Sequence, residues 1–131
     1  MVAHIIVLAR GYPDPRKMEP YYRGIEPTLA AYGGRYQALF RHRVTPLEGD
    51  WAPPKGVVIL EFPSYERALA WYRSPEYAPL IAVRRAAGAI FDFVLVDGLD
   101  PESPILTGKL DDWEVERIAE LEATSEATPD P

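Results

Sequence analysis

The apolar positions of this chain follow two rhythms, and the elements of a fold can be marked out where one gives way to the other. Residues 2–9 (VAHIIVLA) form a short, β-branched, almost wholly apolar run ended by Arg10-Gly11 and a turn at Pro13-Asp14-Pro15, which reads as a central strand covered on both faces. Over residues 16–32 the spacing lengthens. Met18, Tyr22, Ile25, Leu29 and Tyr32 recur with Glu19, Arg23 and Glu26 beside them, the stripe of an amphipathic helix. Pro20 suits its first turn, Pro27 removes an internal hydrogen bond and is expected to kink it, and Gly33-Gly34 stops it.

Residues 35–45 alternate again, with Tyr36, Ala38, Phe40, His42 and Val44 on one side and Arg35, Gln37, Leu39, Arg41 and Arg43 on the other. The charges predict an edge strand. Beyond a loop over 48–54, residues 56–62 (GVVILEF) make a second central strand whose interior carries one charge, Glu61. Ser64 is placed to cap a helix that buries Ala68, Leu69, Trp71 and Tyr72. Ser74-Pro75-Glu76 is a second start signal, for a helix running to about Ala87 before Gly88. Residues 89–97 (AIFDFVLVD) supply the fourth strand, closed by Gly98.

The order β, α, β, β, α (broken in two), β predicts a ferredoxin-like α+β domain over residues 1–98: a four-stranded antiparallel sheet with its helices on one face. The opposite face then carries too many Ile, Val, Leu and Phe side chains to stand in water. A second copy of the chain, packed sheet to sheet about a two-fold axis, is the economical cover.

Residues 99–131 form an acidic C-terminal extension. They hold 2 Lys/Arg against 10 Asp/Glu, whereas residues 1–98 hold 12 against 10, so the chain's net charge of −6 sits in the tail. Leu110, Trp113, Val115, Ile118 and Leu121 predict one helix over 110–123, acting as a clasp, with 124–131 loose. At 131 residues, 47% hydrophobic and 26% charged, the chain has the composition of a globular domain. The absence of cysteine excludes disulfides, a thiolate nucleophile and cysteine metal sites. His4 and His42 lack ligand spacing, and Gly33-Gly34 is a turn without phosphate-loop spacing, so neither metal nor cofactor is expected. An acidic chain is poorly suited to nucleic acid. No apolar run approaches the roughly 20 residues that span a bilayer, and residues 2–9 lack the basic flank and cleavage site of a signal peptide. A cytoplasmic location without membrane contact is therefore expected.

Several motifs now stand in order: Tyr32-Gly33-Gly34-Arg35, Leu47-Glu48-Gly49-Asp50-Trp51 with Pro53, Val58-Ile59, Glu61-Phe62-Pro63-Ser64, Ala68, Trp71-Tyr72-Arg73-Ser74-Pro75-Glu76-Tyr77 and Arg84. Over about residues 4–98 they resemble the family known as domain of unknown function 1330. That resemblance implies the dimeric α+β barrel arrangement, a sheet-to-sheet dimer. Relatives in the wider group include cofactor-free monooxygenases, isomerases and haem enzymes, so it implies no particular reaction.

The residues themselves offer a few candidates. A carboxylate within a β-branched central strand is costly to bury unpaired, so Glu61 is either ion-paired with Arg10, Arg35 or Arg41, or a general base in a pocket. Arg84 follows Tyr77 by seven residues, Leu80 by four and Ile81 by three, which turns it to the buried side of its helix. There it either snorkels past apolar neighbours or holds a carboxylate or phosphate. His42 is the candidate proton shuttle near neutral pH, set against a half-buried structural role. Trp51, Trp71 and Tyr77 are core or interface aromatics, or surfaces on which a flat ligand stacks; Arg35 and Arg41 complete the ligand-binding candidates. Two functions follow as expectations: a cofactor-independent enzyme or binder of a small anionic metabolite, or a non-catalytic homodimeric module.

Overall fold

The computed structural model describes residues 1–11, 13–39, 43–49, 56–103, 106 and 110–127, with the backbone alone for 110–114 and 125–127. In chain order the elements are β1 (Ala3–Ala9), α1 (Pro15–Ala31), β2 (Arg35–Ala38), β3 (Gly56–Phe62), α2 (Tyr65–Tyr72), α3 (Ala78–Ala86), β4 (Phe91–Asp97) and α4 (Leu110–Ala127). Every strand pair is antiparallel and the sheet order is β2-β3-β1-β4. This is the ferredoxin-like topology, which puts the two most apolar strands at the centre. Residues 1–98 form one compact unit and residues 99–131 another.

Strand pleating sorts the side chains between two faces. Ala3, Ile5, Val7 and Ala9 are buried beneath the helices, and register places Phe62, Leu60, Val58 and Gly56 of β3 beside them. Their packing partners are Met18, Tyr21, Ile25 and Leu29 of α1, Ala68 and Trp71 of α2, and Tyr77. The alternate positions turn to the opposite face: Ile6 sits between Ile59 and Val94, and Leu8 opposite Val57. Val94 and Val96 there are 54% and 43% exposed, because α1, α2 and α3 all pack on the other side.

Several boundaries differ from the sequence expectation. Helix α1 starts at Pro15, one residue before the expected range, because the Asp14 carboxylate accepts a hydrogen bond from the Arg16 amide (3.0 Å) and Pro15 opens the first turn. Pro20 thus falls in the second turn, and the helix runs through both Pro20 and Pro27. Both rings lie on the exposed side, where water can satisfy the carbonyls they leave unbonded. The buried stripe passes through Tyr21, leaving Tyr22 42% exposed. Strand β2 ends at Ala38, well short of residue 45. A bulge between Tyr36 and Ala38 sets Ala38 opposite Ile59, after which only Val58, Val57 and Gly56 of β3 remain to pair with. The second start signal opens as a turn: the Ser74 hydroxyl accepts from the Tyr77 amide (3.1 Å), and regular helix begins at Ala78. Strand β4 begins at Phe91, two residues later than expected.

In the C-terminal unit, α4 continues to Ala127, four residues beyond the expected end. Nothing in 124–127 breaks a helix; the first breaker is Pro129. Val115, Ile118 and Leu121 are 69%, 57% and 52% exposed, so the expected apolar stripe is not buried at these positions. No helix among the described residues is long and apolar enough to cross a membrane.

Candidate functional site

The helix-side face of the sheet is not completely filled. Toward the end of β1 a cavity of about 520 Å³ opens between sheet and helix, floored by Val7, Ala9, Val58, Leu60, Phe91 and Phe93. Pro15, Tyr21, Tyr22 and Ile25 of α1 face it, and Tyr36 and Leu39 line it from the β2 edge. The volume is that of a small-molecule site. Among the described residues the lining holds no charged side chain, and its polar groups are three phenols.

Behind this lining is a buried polar line. The Tyr21 and Tyr77 hydroxyls are 2.7 Å apart, and the Arg84 guanidinium lies close enough to Tyr77 for the two groups to influence each other's titration. Arg84 is 4% exposed and stacks on Phe93, 4.6 Å from the ring centroid. Its Nε lacks a hydrogen-bond partner, and no carboxylate among the described residues pairs with it. Trp71 holds the assembly from below. It packs on Tyr77 with centroids 4.0 Å apart, and its Nε1 donates to Thr28 Oγ1 (3.0 Å).

These surroundings move the titrations. Burial raises Tyr21 far above the ordinary phenol range, and neighbouring Tyr77 adds to this. Burial, with Tyr77 and Glu26 nearby, pushes Tyr36 up to about 12. Tyr77 is raised by burial despite its interactions with Tyr21 and Arg84, which pull the other way. Burial works to lower Arg84, but its interactions with Tyr77 outweigh it and hold the guanidinium above its usual value. A phenol raised in the folded state contributes stability that is present below its unfolded value of 10.0 and lost as pH rises toward its folded value. Alkaline titration is therefore expected to destabilise the fold from about pH 10 upward, and Tyr36→Phe to blunt that loss. Urea midpoints between pH 8 and 11.5 check this; a flat profile would contradict it.

The structure distributes the sequence candidates over two faces. Glu61 bonds Arg35, whose Nε lies 2.6 Å from Glu61 Oε2. Alternation with buried Leu60 and Phe62 puts this pair on the face away from the helices. Glu61 therefore does not meet Arg84 or the cavity. Arg10, the other described partner considered for Glu61, pairs with Asp92 at 2.8 Å. Trp71, Tyr77 and Arg84 come together, behind the cavity lining. Arg41, His42 and Trp51 lie outside the described residues.

In the sequence Tyr21 reads as one more core or interface aromatic, and nothing marks Tyr36 as a site residue. Helical spacing from Met18 to Ile25 is served equally by position 21 or 22, so the doublet hid which tyrosine turns inward. Tyr36 read only as one position of an edge strand.

Residues 3–99 match the family model described as Domain of unknown function (DUF1330). Among solved structures the chain is similar to a protein of unknown function from Rhodopseudomonas palustris, with 22% identity, 76% of this chain and 84% of that one covered, and a TM-score of 0.58. A methylated form of the same protein gives 23% identity, 78% and 84% coverage, and a TM-score of 0.50. These likenesses concern the fold. No curated protein matches the chain.

Proposed function

Since the chain belongs to the DUF1330 family, whose name carries no activity, we propose from the geometry that it holds a small organic molecule in the cavity between α1 and the sheet. The observation that carries this reading is the 520 Å³ space itself, whose described lining is apolar apart from three phenols. A gap of that size forfeits packing that side chains could otherwise supply. A binding role accounts for its retention. We further propose that the functional unit is a homodimer, each chain with its own cavity and the helix-free sheet faces packed together.

The rival reading, a dimeric module that binds nothing, is favoured by the pairing of Glu61 with Arg35 and of Arg10 with Asp92, which gives those charges structural partners. It requires the cavity to serve no ligand.

A thermal-shift screen of small carboxylates, phenols and carbonyl compounds separates the two. A ligand at a hundred times its Kd stabilises the folded state by about 2.7 kcal/mol, a shift of several degrees. Val58→Phe, which fills the cavity floor, is expected to abolish that shift. A screen without hits, or a hit whose shift survives in Val58→Phe, would count against the cavity.

A further inference from the structure

The hydroxyls behind the cavity have a direction. An arginine guanidinium can only donate, so Arg84 beside Tyr77 offers the Tyr77 proton no acceptor. Two orientations remain for the 2.7 Å contact between Tyr77 and Tyr21. If Tyr21 donates, the Tyr77 proton is left with no acceptor among the described residues, in a side chain that is fully buried and outside the cavity lining. Stranding a buried donor in this way costs stability. If Tyr77 donates instead, the proton left over is that of Tyr21, which does line the cavity and can be met there by an acceptor. The positive charge at the start of the line has no carboxylate among the described residues to neutralise it, and polar groups in series polarise one another.

Resting on the cavity reading, we propose that Arg84, Tyr77 and Tyr21 form a relay that presents one polarised O–H to the cavity, and that the ligand is a small apolar molecule carrying an anionic oxygen. The apolar floor takes the body of the molecule and Tyr21 takes the oxygen. A phenolate, enolate or carboxylate attached to a ring or short alkyl frame fits that description. A free inorganic anion does not, because the three phenols are the only polar groups among the described lining residues and cannot replace its full shell of water.

The test uses 4-nitrophenol, whose absorption separates acid from anion, with nitrobenzene as the matched probe lacking the oxygen. Both are expected to bind the intact protein. Bound 4-nitrophenol is expected to ionise about one pH unit or more below the free compound. Tyr21→Phe, which keeps the ring, is expected to abolish that shift and weaken 4-nitrophenol binding about tenfold or more, leaving nitrobenzene binding unchanged. Arg84→Met is expected to reduce the shift; if that variant does not fold, Tyr21→Phe decides alone.

Both probes binding without a shift, or with a shift that survives in Tyr21→Phe, would overturn the relay while leaving the cavity reading standing. Arg84 also borders a second, more open groove of about 440 Å³ with Arg85. A shift lost in Arg84→Met but kept in Tyr21→Phe would mean that the anion meets Arg84 there, which also overturns the relay. If neither probe binds, the ligand class falls; the cavity reading falls with it only if the thermal-shift screen is empty too.

Discussion

Replacing Trp71 by alanine is expected to remove about 3–5 kcal/mol of stability, a large share of the roughly 5–15 kcal/mol that holds a domain of this size together. The indole is fully buried and touches the core from three directions: Phe62 at 5.5 Å between centroids, Tyr72 at 6.3 Å and Tyr77 at 4.0 Å. Its Nε1 donates to Thr28 Oγ1, and that hydroxyl donates in turn to the Ile25 carbonyl at 2.6 Å. Truncation would open a void among four elements and deprive Thr28 of a donor. Trp71→Phe retains much of the packing and is expected to cost about half as much. Urea denaturation read by circular dichroism checks both. A loss for Trp71→Ala below about 1 kcal/mol would show that the site collapses around the deletion.

Light scattering is expected to give the intact protein twice its 14.7 kDa chain mass, and Val94→Arg is expected to return it to a monomer. The helix-free face carries Ile6, Leu8, Val57, Ile59, Val94 and Val96 in adjoining rows, an apolar patch larger than isolated surface residues would make. Arg35–Glu61 and Arg10–Asp92 flank it as polar margins, the layout of an interface with an apolar centre and a charged rim. Val94 is 54% exposed in the single chain, so arginine there leaves the monomer fold intact while placing an unpaired charge where the second sheet would pack. Monomeric intact protein at micromolar concentration, or a dimer that survives Val94→Arg, would defeat the proposal.

The central strands were legible because their apolar runs are short, β-branched and bounded by turn residues. The hairpins and helices then left few ways to connect them. What the sequence hid was phase and extent. The Tyr21-Tyr22 doublet satisfies one helical stripe in two ways, and only packing against Tyr77 selects Tyr21. The alternation over 35–45 reads as strand throughout, but a strand lasts only as long as its neighbour, and β3 begins at Gly56. Arg84 turns to the buried side as its spacing from Tyr77 and Leu80 requires. There it meets Tyr77 and the ring of Phe93 rather than a carboxylate, and Glu61 found Arg35 because register set them opposite each other. The cavity was not legible at all, since it is bounded by residues from Val7 to Phe93 that share no local pattern.

The bulge in β2 bears on what kind of sequence change can alter the cavity. Tyr36 and Leu39 both line it although they are three positions apart, an odd interval that regular pleating would send to opposite faces. The extra residue, Gln37, restores the parity and turns Ala38 the other way, opposite Ile59. Drawn straight at constant length, the same strand would present Ala38 to the cavity in place of Leu39, and the space would widen by most of a leucine side chain. Deleting Gln37 would leave Leu39 where it is. The capacity of the cavity is therefore set by whether this strand bulges: losing the bulge at constant length exchanges Leu39 for Ala38, whereas deleting Gln37 removes the bulge and leaves the lining unchanged.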